Sequence, residues 1–296
     1  MINEKVKGSK MIGECHAHIF MNGNDYKAAV STHRNMVSDA DISNHFSEYV
    51  KRGVTYVRDG GDDLGVSLRA IQLAKQFKIN YRTPIFAIHK EGHYGSIVGR
   101  AYESTEDYRY LIREVRALGG NFIKIMVSGI VDFNKQATIT GETLEYNEVK
   151  ELIEIAHDEG FAVMAHANGA QAVKNAARCG VDSIEHGYFV DEEAIETMAK
   201  HSVIWVPTLV TVANLLGTNR FPEESVEEIF KSHQKNINSA CKKGVLIAAG
   251  SDAGAYAVNH GTGIIEEYEE LKSVMPENID GDEYLQKGLD AIISKF

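Results

Sequence analysis

Short apolar and β-branched runs alternate along this chain with amphipathic stretches of helical periodicity. The apolar runs predict eight strands, at residues 11–15, 54–57, 83–88, 122–127, 161–165, 182–184, 203–206 and 246–249. Each run is followed by a helical pattern, so the chain reads as repeated strand–helix units. Such repetition is typical of an α/β fold built on parallel strands.

The connections between the predicted elements differ in length at the two ends of the strands. Helix-to-strand links are short, whereas strand-to-helix links are long at 17–40, 89–103, 128–143 and 208–224. Long loops at the carboxyl ends of the strands are the usual location of the active site in a (β/α)8 barrel. We therefore predict a single-domain (β/α)8 TIM barrel over residues 1–296, with its site at the C-terminal face of the strands.

Composition and charge indicate the kind of partner. The 296 residues carry a formal net charge of −11 without a Lys/Arg-rich run, which disfavours nucleic acid and acidic membranes. We expect a small-molecule substrate and leave homo-oligomer formation open. The cysteines are few and widely spaced, the N-terminus lacks an apolar signal region, and the longest apolar run, around 206–216, contains polar residues. These features favour a cytoplasmic protein.

Histidine and aspartate residues follow several predicted strands at the same predicted edge. His16 and His18 alternate at the end of the first strand, so both side chains point the same way. His166 and His186 end the fifth and sixth strands, and Asp252 follows the eighth. Mixed imidazole and carboxylate ligands suit zinc, manganese, iron or cobalt better than calcium or magnesium. The pattern predicts a metal site, with zinc favoured.

Lys124 lies within the fourth predicted strand, NFIKIMVSG, which is otherwise apolar. An inward-pointing ammonium group is costly to bury, so this side chain must be neutralised, paired or modified. A functional role for Lys124 is therefore predicted.

Taken together, HAH on strand one, Lys on strand four, His on strands five and six and Asp on strand eight resemble the amidohydrolase superfamily. The segments GVTYVRDGG, IKIMVSG, VMAHANG, GVDSIEHG and IAAGSDAG are similar to its imidazolonepropionase-related branch, which includes prolidase-like and zinc-dependent carboxypeptidase enzymes. The resemblance implies two divalent metal ions. Its ligand set is His16, His18 and Asp252 for one ion and His166 and His186 for the other, with Lys124, carboxylated by CO2, bridging both.

The same resemblance implies a metal-dependent amidohydrolase that cleaves a peptide-like or cyclic amide C–N bond by a metal-bridged hydroxide. Asp252 would take the proton from the nucleophile and pass it to the leaving amine. His93 and Tyr188 are the candidates for stabilising the tetrahedral oxyanion. Further candidates for substrate contact are His89, Arg58, Arg100 and His260.

Two departures from the family pattern bear on this prediction. Glu14 stands where relatives usually carry Asp, and we expect this barrel to lack the small β-sandwich that relatives usually carry. Three alternatives stay open: a mononuclear deaminase, a phosphotriesterase or lactonase, and a catalytically impaired metal-binding barrel. The deaminase is disfavoured because 166–169 reads HANG rather than an HAGE-like motif.

Overall fold

The computed structural model describes residues 12–135 and 138–296, so Met11 of the first predicted strand lies outside the described residues. The strands of these ranges are β1 (Ile12–Ala17), β2 (Val54–Asp59), β3 (Asn80–Arg82), β4 (Ala87–Lys90), β5 (Gly99–Tyr102), β6 (Ile123–Met126), β7 (Val163–Ala167), β8 (Ser183–His186) and β9 (Ile204–Val206). The helices are α1 (Tyr26–Asn35), α2 (Asp39–Lys51), α3 (Val66–Ala74), α4 (Thr105–Ala117), α5 (Tyr146–Asp158), α6 (Ala170–Arg178), α7 (Glu192–Lys200), α8 (Val210–Ala213), α9 (Glu223–Lys242), α10 (Thr262–Val274) and α11 (Gly281–Lys295), with a 3-10 turn at Lys75–Phe77.

Side-chain caps mark where several of the helices begin. An aspartate or serine oxygen accepts hydrogen bonds from backbone N–H groups of the first turn, which would otherwise lack partners. These caps are Asp25 for α1, Ser38 for α2, Ser104 for α4, Asp191 for α7 and Asp280 for α11. The helix boundaries are therefore encoded locally, as expected for amphipathic helices that separate short strands.

All strand pairs within the two sheets are parallel. One sheet has the order β1-β2-β3, and the other has the order β5-β4-β6-β7-β8-β9. Parallel neighbours joined by helices place the carboxyl ends of all these strands at one edge. The predicted parallel α/β architecture is thus confirmed.

The predicted third strand, 83–88, is shorter in the structure. Residues 83–86 lie between β3, which pairs with β2, and β4, which pairs with β6, so only 87–88 of the predicted run are in a strand. Between them Ile85 adopts a left-handed conformation with φ of 68°, which a β-branched residue rarely does. The Ile85 carbonyl accepts a hydrogen bond from Asp62 N at 2.9 Å instead of continuing a strand.

Strand β5 lies within residues 89–103, which the sequence predicts to be a loop. It pairs with β4 in register from Ala87 opposite Gly99 to Lys90 opposite Tyr102. A Cβ at Gly99 would collide with the carbonyl oxygen of Ala87. The close approach of the two backbones therefore needs a glycine, whereas glycine in a sequence favours a loop prediction.

The predicted eighth strand, 246–249, forms one isolated bridge, between Ile247 and Trp205, rather than a regular strand. Trp205 N donates to Leu246 O at 2.8 Å, and Cys15 N donates to Ala249 O at 3.0 Å. The segment thus lies between β9 and β1 and bonds to both, although the assigned strands do not form a closed ladder. Asp252 follows with φ of 57°, and pairing with β1 resumes at the next residue in the isolated bridge between Ala17 and Ala253.

Helix α11 covers the amino ends of the strands. Leu289 and Ile292 of α11, and Phe296 directly after it, pack in one apolar cluster with Cys15 of β1 and Met164 of β7. The larger core lies between the sheets and the remaining helices. Because one end of the strands is filled with side chains, the carboxyl ends are left for the site. No helix within the described ranges is both long enough and apolar enough to cross a membrane.

Candidate metal centre

The six predicted ligands meet at the carboxyl ends of the strands. Five are buried, and the Asp252 side chain is 18% exposed. Their positions are His16 on β1, His18 directly after β1, Lys124 on β6, His166 on β7, His186 on β8 and Asp252 in the loop after 246–249. The structure therefore brings together residues that are as much as 236 positions apart, from His16 to Asp252.

His16, His18 and Asp252 form a group able to hold a metal ion. Asp252 Oδ1 lies 3.5 Å from His16 Nε2 and 3.6 Å from His18 Nε2, and the three ligand atoms are within 4.8 Å of one another. Asp252 N donates to His16 O at 2.7 Å, which fixes the loop against β1. Burial raises the pKa of Asp252 to about 7, and it lowers the pKa of both imidazoles. Neutral imidazoles are the form that binds metals.

Lys124 reaches the same point from β6. Its Nζ is 3.4 Å from His16 Nε2 and 3.5 Å from His18 Nε2. Burial lowers the pKa of Lys124, because desolvation penalises the ammonium form. Gly60 also packs closely against the Lys124 side chain: a Cβ added at Gly60 would lie 2.7 Å from Lys124 Nζ. The lysine is thus held inside the centre, where burial makes its ammonium form less favourable than it is in water.

His166 and His186 stand next to this group. Their ring centroids are 4.6 Å apart, and the His186 ring centroid is 4.9 Å from that of His16. His166 Nε2 donates to Gly129 O at 3.0 Å, which leaves the Nδ1 lone pair of the neutral ring for a ligand. His186 Nδ1 bonds Thr208 Oγ1 at 2.9 Å. Burial lowers the pKa of both rings.

Two buried charged residues support His16, and neither was predicted as part of the metal centre. Glu185 Oε2 accepts from His16 Nδ1 at 2.7 Å, while Arg58 Nη2 donates to both Glu185 oxygens at 2.9 and 3.1 Å. Ser183 Oγ also donates to Glu185. Burial raises the pKa of Glu185, and Arg58 opposes that rise. The hydrogen bond keeps the His16 proton on Nδ1, so Nε2 presents its lone pair to the centre.

The sequence alone gives a reason to expect a functional role for Arg58 and Glu185. Arg58 and Glu185 each lie in an apolar strand, and the cost of burying a charge applies to them as it does to Lys124. Strand alternation would point Glu185 and His186 to opposite faces, yet both contact the centre. The left-handed conformation of His186, with φ of 67°, ends the strand and turns its ring inward.

Glu14, the departure from the family pattern, joins β1 to the loop that carries Asp252. It accepts hydrogen bonds from Ser251 N at 2.8 Å, Ser251 Oγ at 2.5 Å and His16 N at 3.1 Å. Burial raises the pKa of Glu14 to about 8. Glu14, which is longer than the usual Asp, therefore binds the loop that carries Asp252 to strand β1.

A cavity of about 460 Å³ opens onto the centre. Tyr188 lines it, but the Tyr188 hydroxyl lies 2.9 Å from Thr208 O and 2.5 Å from Thr211 Oγ1. His93 is not among the lining residues, and its Nε2 lies 4.0 Å from Glu142 Oε2. The geometry therefore gives no support to an oxyanion role for either residue, and those roles stay predictions.

The other predicted substrate contacts lie away from the lining of this cavity. Arg58 supports Glu185 as described, and Arg100 pairs with Asp63 and stacks on a phenylalanine ring. His89 Nδ1 bonds Lys90 O, and His260 Nε2 bonds Met21 O. Each of them is engaged within the protein.

Comparison with known proteins gives consistent results. A family model described as "Amidohydrolase family" matches residues 12–287. The ochratoxinase of Aspergillus niger is 28% identical over 168 residues, which are 55% of this chain and 35% of that protein. A solved Xaa-Pro dipeptidase with bound methionine has a TM-score of 0.75 at 23% identity, covering 97% of this chain and 76% of the other.

The crystal structure of the A. niger ochratoxinase has a TM-score of 0.73 at 20% identity, covering 93% of this chain and 68% of that one. These structural likenesses indicate a shared TIM-barrel-like α/β fold. The sequence match to the curated ochratoxinase spans about a third of that relative's length.

Proposed function

Because this chain belongs to the amidohydrolase family, we propose that it is a metal-dependent hydrolase of amide C–N bonds in small, peptide-like or cyclic substrates. The observation that carries the proposal is the convergence of Lys124 Nζ on the group formed by His16, His18 and Asp252. The likeness to a dipeptidase is consistent with an amide substrate. We further propose that the chain forms one closed (β/α)8 barrel, completed by the segment 246–249.

We propose two divalent cations, with zinc favoured by the donor set. His16, His18 and Asp252 would hold one, and His166 and His186 would hold the other. The fit rests on the buried neutral imidazoles and on Nε2 of His16 being kept free by Glu185. Cations bound in this way supply Lewis-acid activation of water and of the substrate carbonyl.

Lys124 would bridge the two cations as a carbamate. The neutral amine forms such a group when Nζ bonds to the carbon of CO2 and releases one proton. Burial favours the neutral amine, and the resulting anion would offset the cationic charge beside it. This modification resolves the cost of burying Lys124, whereas a mononuclear deaminase gives the residue no role.

Asp252 would move the proton during turnover. Its partly exposed carboxylate lines the cavity and is held at the histidine pair by the bond from Asp252 N to His16 O. From this position it can accept a proton from the attacking water and deliver it to the leaving amine. The apolar lining of the cavity, which includes Val131, Phe133 and Leu215, would limit bulk water.

The test is turnover of a panel of N-acyl amino acids and dipeptides by metal-loaded protein, with Asp252→Asn as the variant. We expect kcat to fall by about 10²–10⁴-fold, the range for lost acid–base catalysis. Asp158→Asn on the exposed surface of α5 is the matched control and should retain activity. Bound metal without turnover of any amide would contradict the proposal, and ammonia release from an amidine would favour a deaminase.

A further inference from the structure

Arg220 lines the same cavity as the metal centre, in the long loop before α9. Of the residues that the structure describes, Arg220 and Lys124 are the arginine and lysine that line this cavity. Building on the proposed amide hydrolysis, we propose that Arg220 binds a carboxylate of the substrate and is a specificity-determining residue. The substrate class is then an N-acylated amino acid or dipeptide with a free carboxylate and an apolar side chain.

The orientation of Arg220 is set by aromatic rings. Its guanidinium carbon lies 3.9 Å from the centroid of the Tyr256 ring and 5.7 Å from that of Phe221. Stacking of this kind engages the face of the guanidinium and leaves its N–H groups at the edge free. Arg220 is exposed, and within the described ranges no carboxylate forms an ion pair with it at 4.0 Å or less. An oriented guanidinium without an internal acid partner is suited to bidentate binding of an external carboxylate.

The surroundings of Arg220 indicate the rest of the ligand. Phe221 and Phe133 lie with their ring centroids 5.1 Å apart, and Leu215 and Val131 belong to the same apolar cluster. A cavity of about 460 Å³ with this lining is large enough for an aromatic or aliphatic group beside the scissile amide.

The negative net charge of the chain makes the Arg220 guanidinium important for binding an anionic substrate. The chain carries a net charge of −11, so an anionic substrate is disfavoured at long range and needs a positive group in the cavity. Asp132, which also lines the cavity, accepts from Asn134 N at 3.0 Å, which engages one of its oxygens within its own loop. Arg220 therefore supplies the attraction for a carboxylate at this side of the cavity.

The kinetic test compares N-acetyl-L-phenylalanine with N-acetylphenethylamine, which lacks only the carboxylate. We expect the wild-type enzyme to prefer the acid by about 10–100-fold in kcat/KM, mostly through KM, as for a charged hydrogen bond. Arg220→Met should abolish this preference, by lowering kcat/KM for the acid about 10–100-fold more than kcat/KM for the neutral compound. Arg220→Lys should retain part of it, and Arg113→Met, on the exposed surface of α4, should retain all of it. Equal losses for both substrates would overturn the proposal.

A binding test separates this inference from the proposed reaction. Calorimetry with metal-loaded protein would compare 3-phenylpropionate with 3-phenyl-1-propanol, a neutral analogue that contains no amide bond. We expect Arg220→Met to weaken binding of the carboxylate at least about tenfold more than binding of the neutral alcohol. Arg220-dependent binding without turnover would refute the proposed hydrolysis and keep the carboxylate site. Unchanged carboxylate binding in Arg220→Met, or no carboxylate binding in the wild type, would refute the carboxylate site.

Discussion

Gly60 is the position at which a single methyl group should disable the metal centre. An added Cβ would lie 2.7 Å from Lys124 Nζ and 2.8 Å from His18 Nδ1, and it would collide with His18 Cε1. Carbon contacts need about 3.5 Å or more, so the His18 ring must move by roughly 1 Å. Metal ligands must keep their distances to about 0.2 Å, so Gly60→Ala should weaken cation binding.

The expected magnitude follows from the displacement. A misplacement of about 1 Å at a reacting site can cost about 10²-fold in rate, so we expect at least that loss in kcat/KM. Overpacking should also cost about 1–3 kcal/mol of the free energy of unfolding. The assays are metal stoichiometry after dialysis, turnover and thermal denaturation.

The matched control is Gly281→Ala at the start of α11. A Cβ at Gly281 would meet the flexible side chains of Lys272 and Met275 at 3.0 and 3.3 Å, which can move. This variant should keep both metal and activity. The reasoning would be refuted if Gly60→Ala bound metal fully and kept its kcat/KM within about threefold of the wild type, well short of the predicted 10²-fold loss.

Three further predictions concern the support of the centre and the closed end of the fold. Glu185→Gln should lower metal affinity by about 10–100-fold in competition with a chelator, because His16 loses its oriented tautomer; an unchanged affinity would contradict this. Phe296→Ala should reduce the free energy of unfolding in urea by about 3–5 kcal/mol, since its buried ring packs on Phe122 and beneath Arg58; a loss below about 1 kcal/mol would contradict that. Dialysis against a chelator should abolish turnover and lower Tm, and added Zn²⁺ should restore both; full activity of the stripped protein would exclude a metal role.

Much of the architecture was predictable because it is encoded in local patterns. The alternation of strands and helices predicted the parallel sheets, and the loop lengths predicted the edge at which the candidate ligands meet. His16 and His18 could be paired from strand geometry alone. The family was predictable from ligand residues spread over most of the strands, and the match over residues 12–287 confirms it.

Other features depend on contacts between distant segments. The shortening of the predicted third strand follows from the left-handed Ile85, and β5 depends on the close approach of Gly99 to Ala87. The partners Arg58 and Glu185 are 127 residues apart, so their pairing became visible only in the folded chain. The stacking of Arg220 on Tyr256 likewise joins two loops that no periodic pattern connects.

The central claim is that six side chains hold two cations bridged by a modified Lys124. Its most direct test is a crystal structure of the metal-loaded protein with anomalous scattering collected for the metal. We predict one anomalous peak among His16, His18 and Asp252, a second beside His166 and His186, and carbamate density on Nζ of Lys124. A single peak with an unmodified lysine would contradict the account.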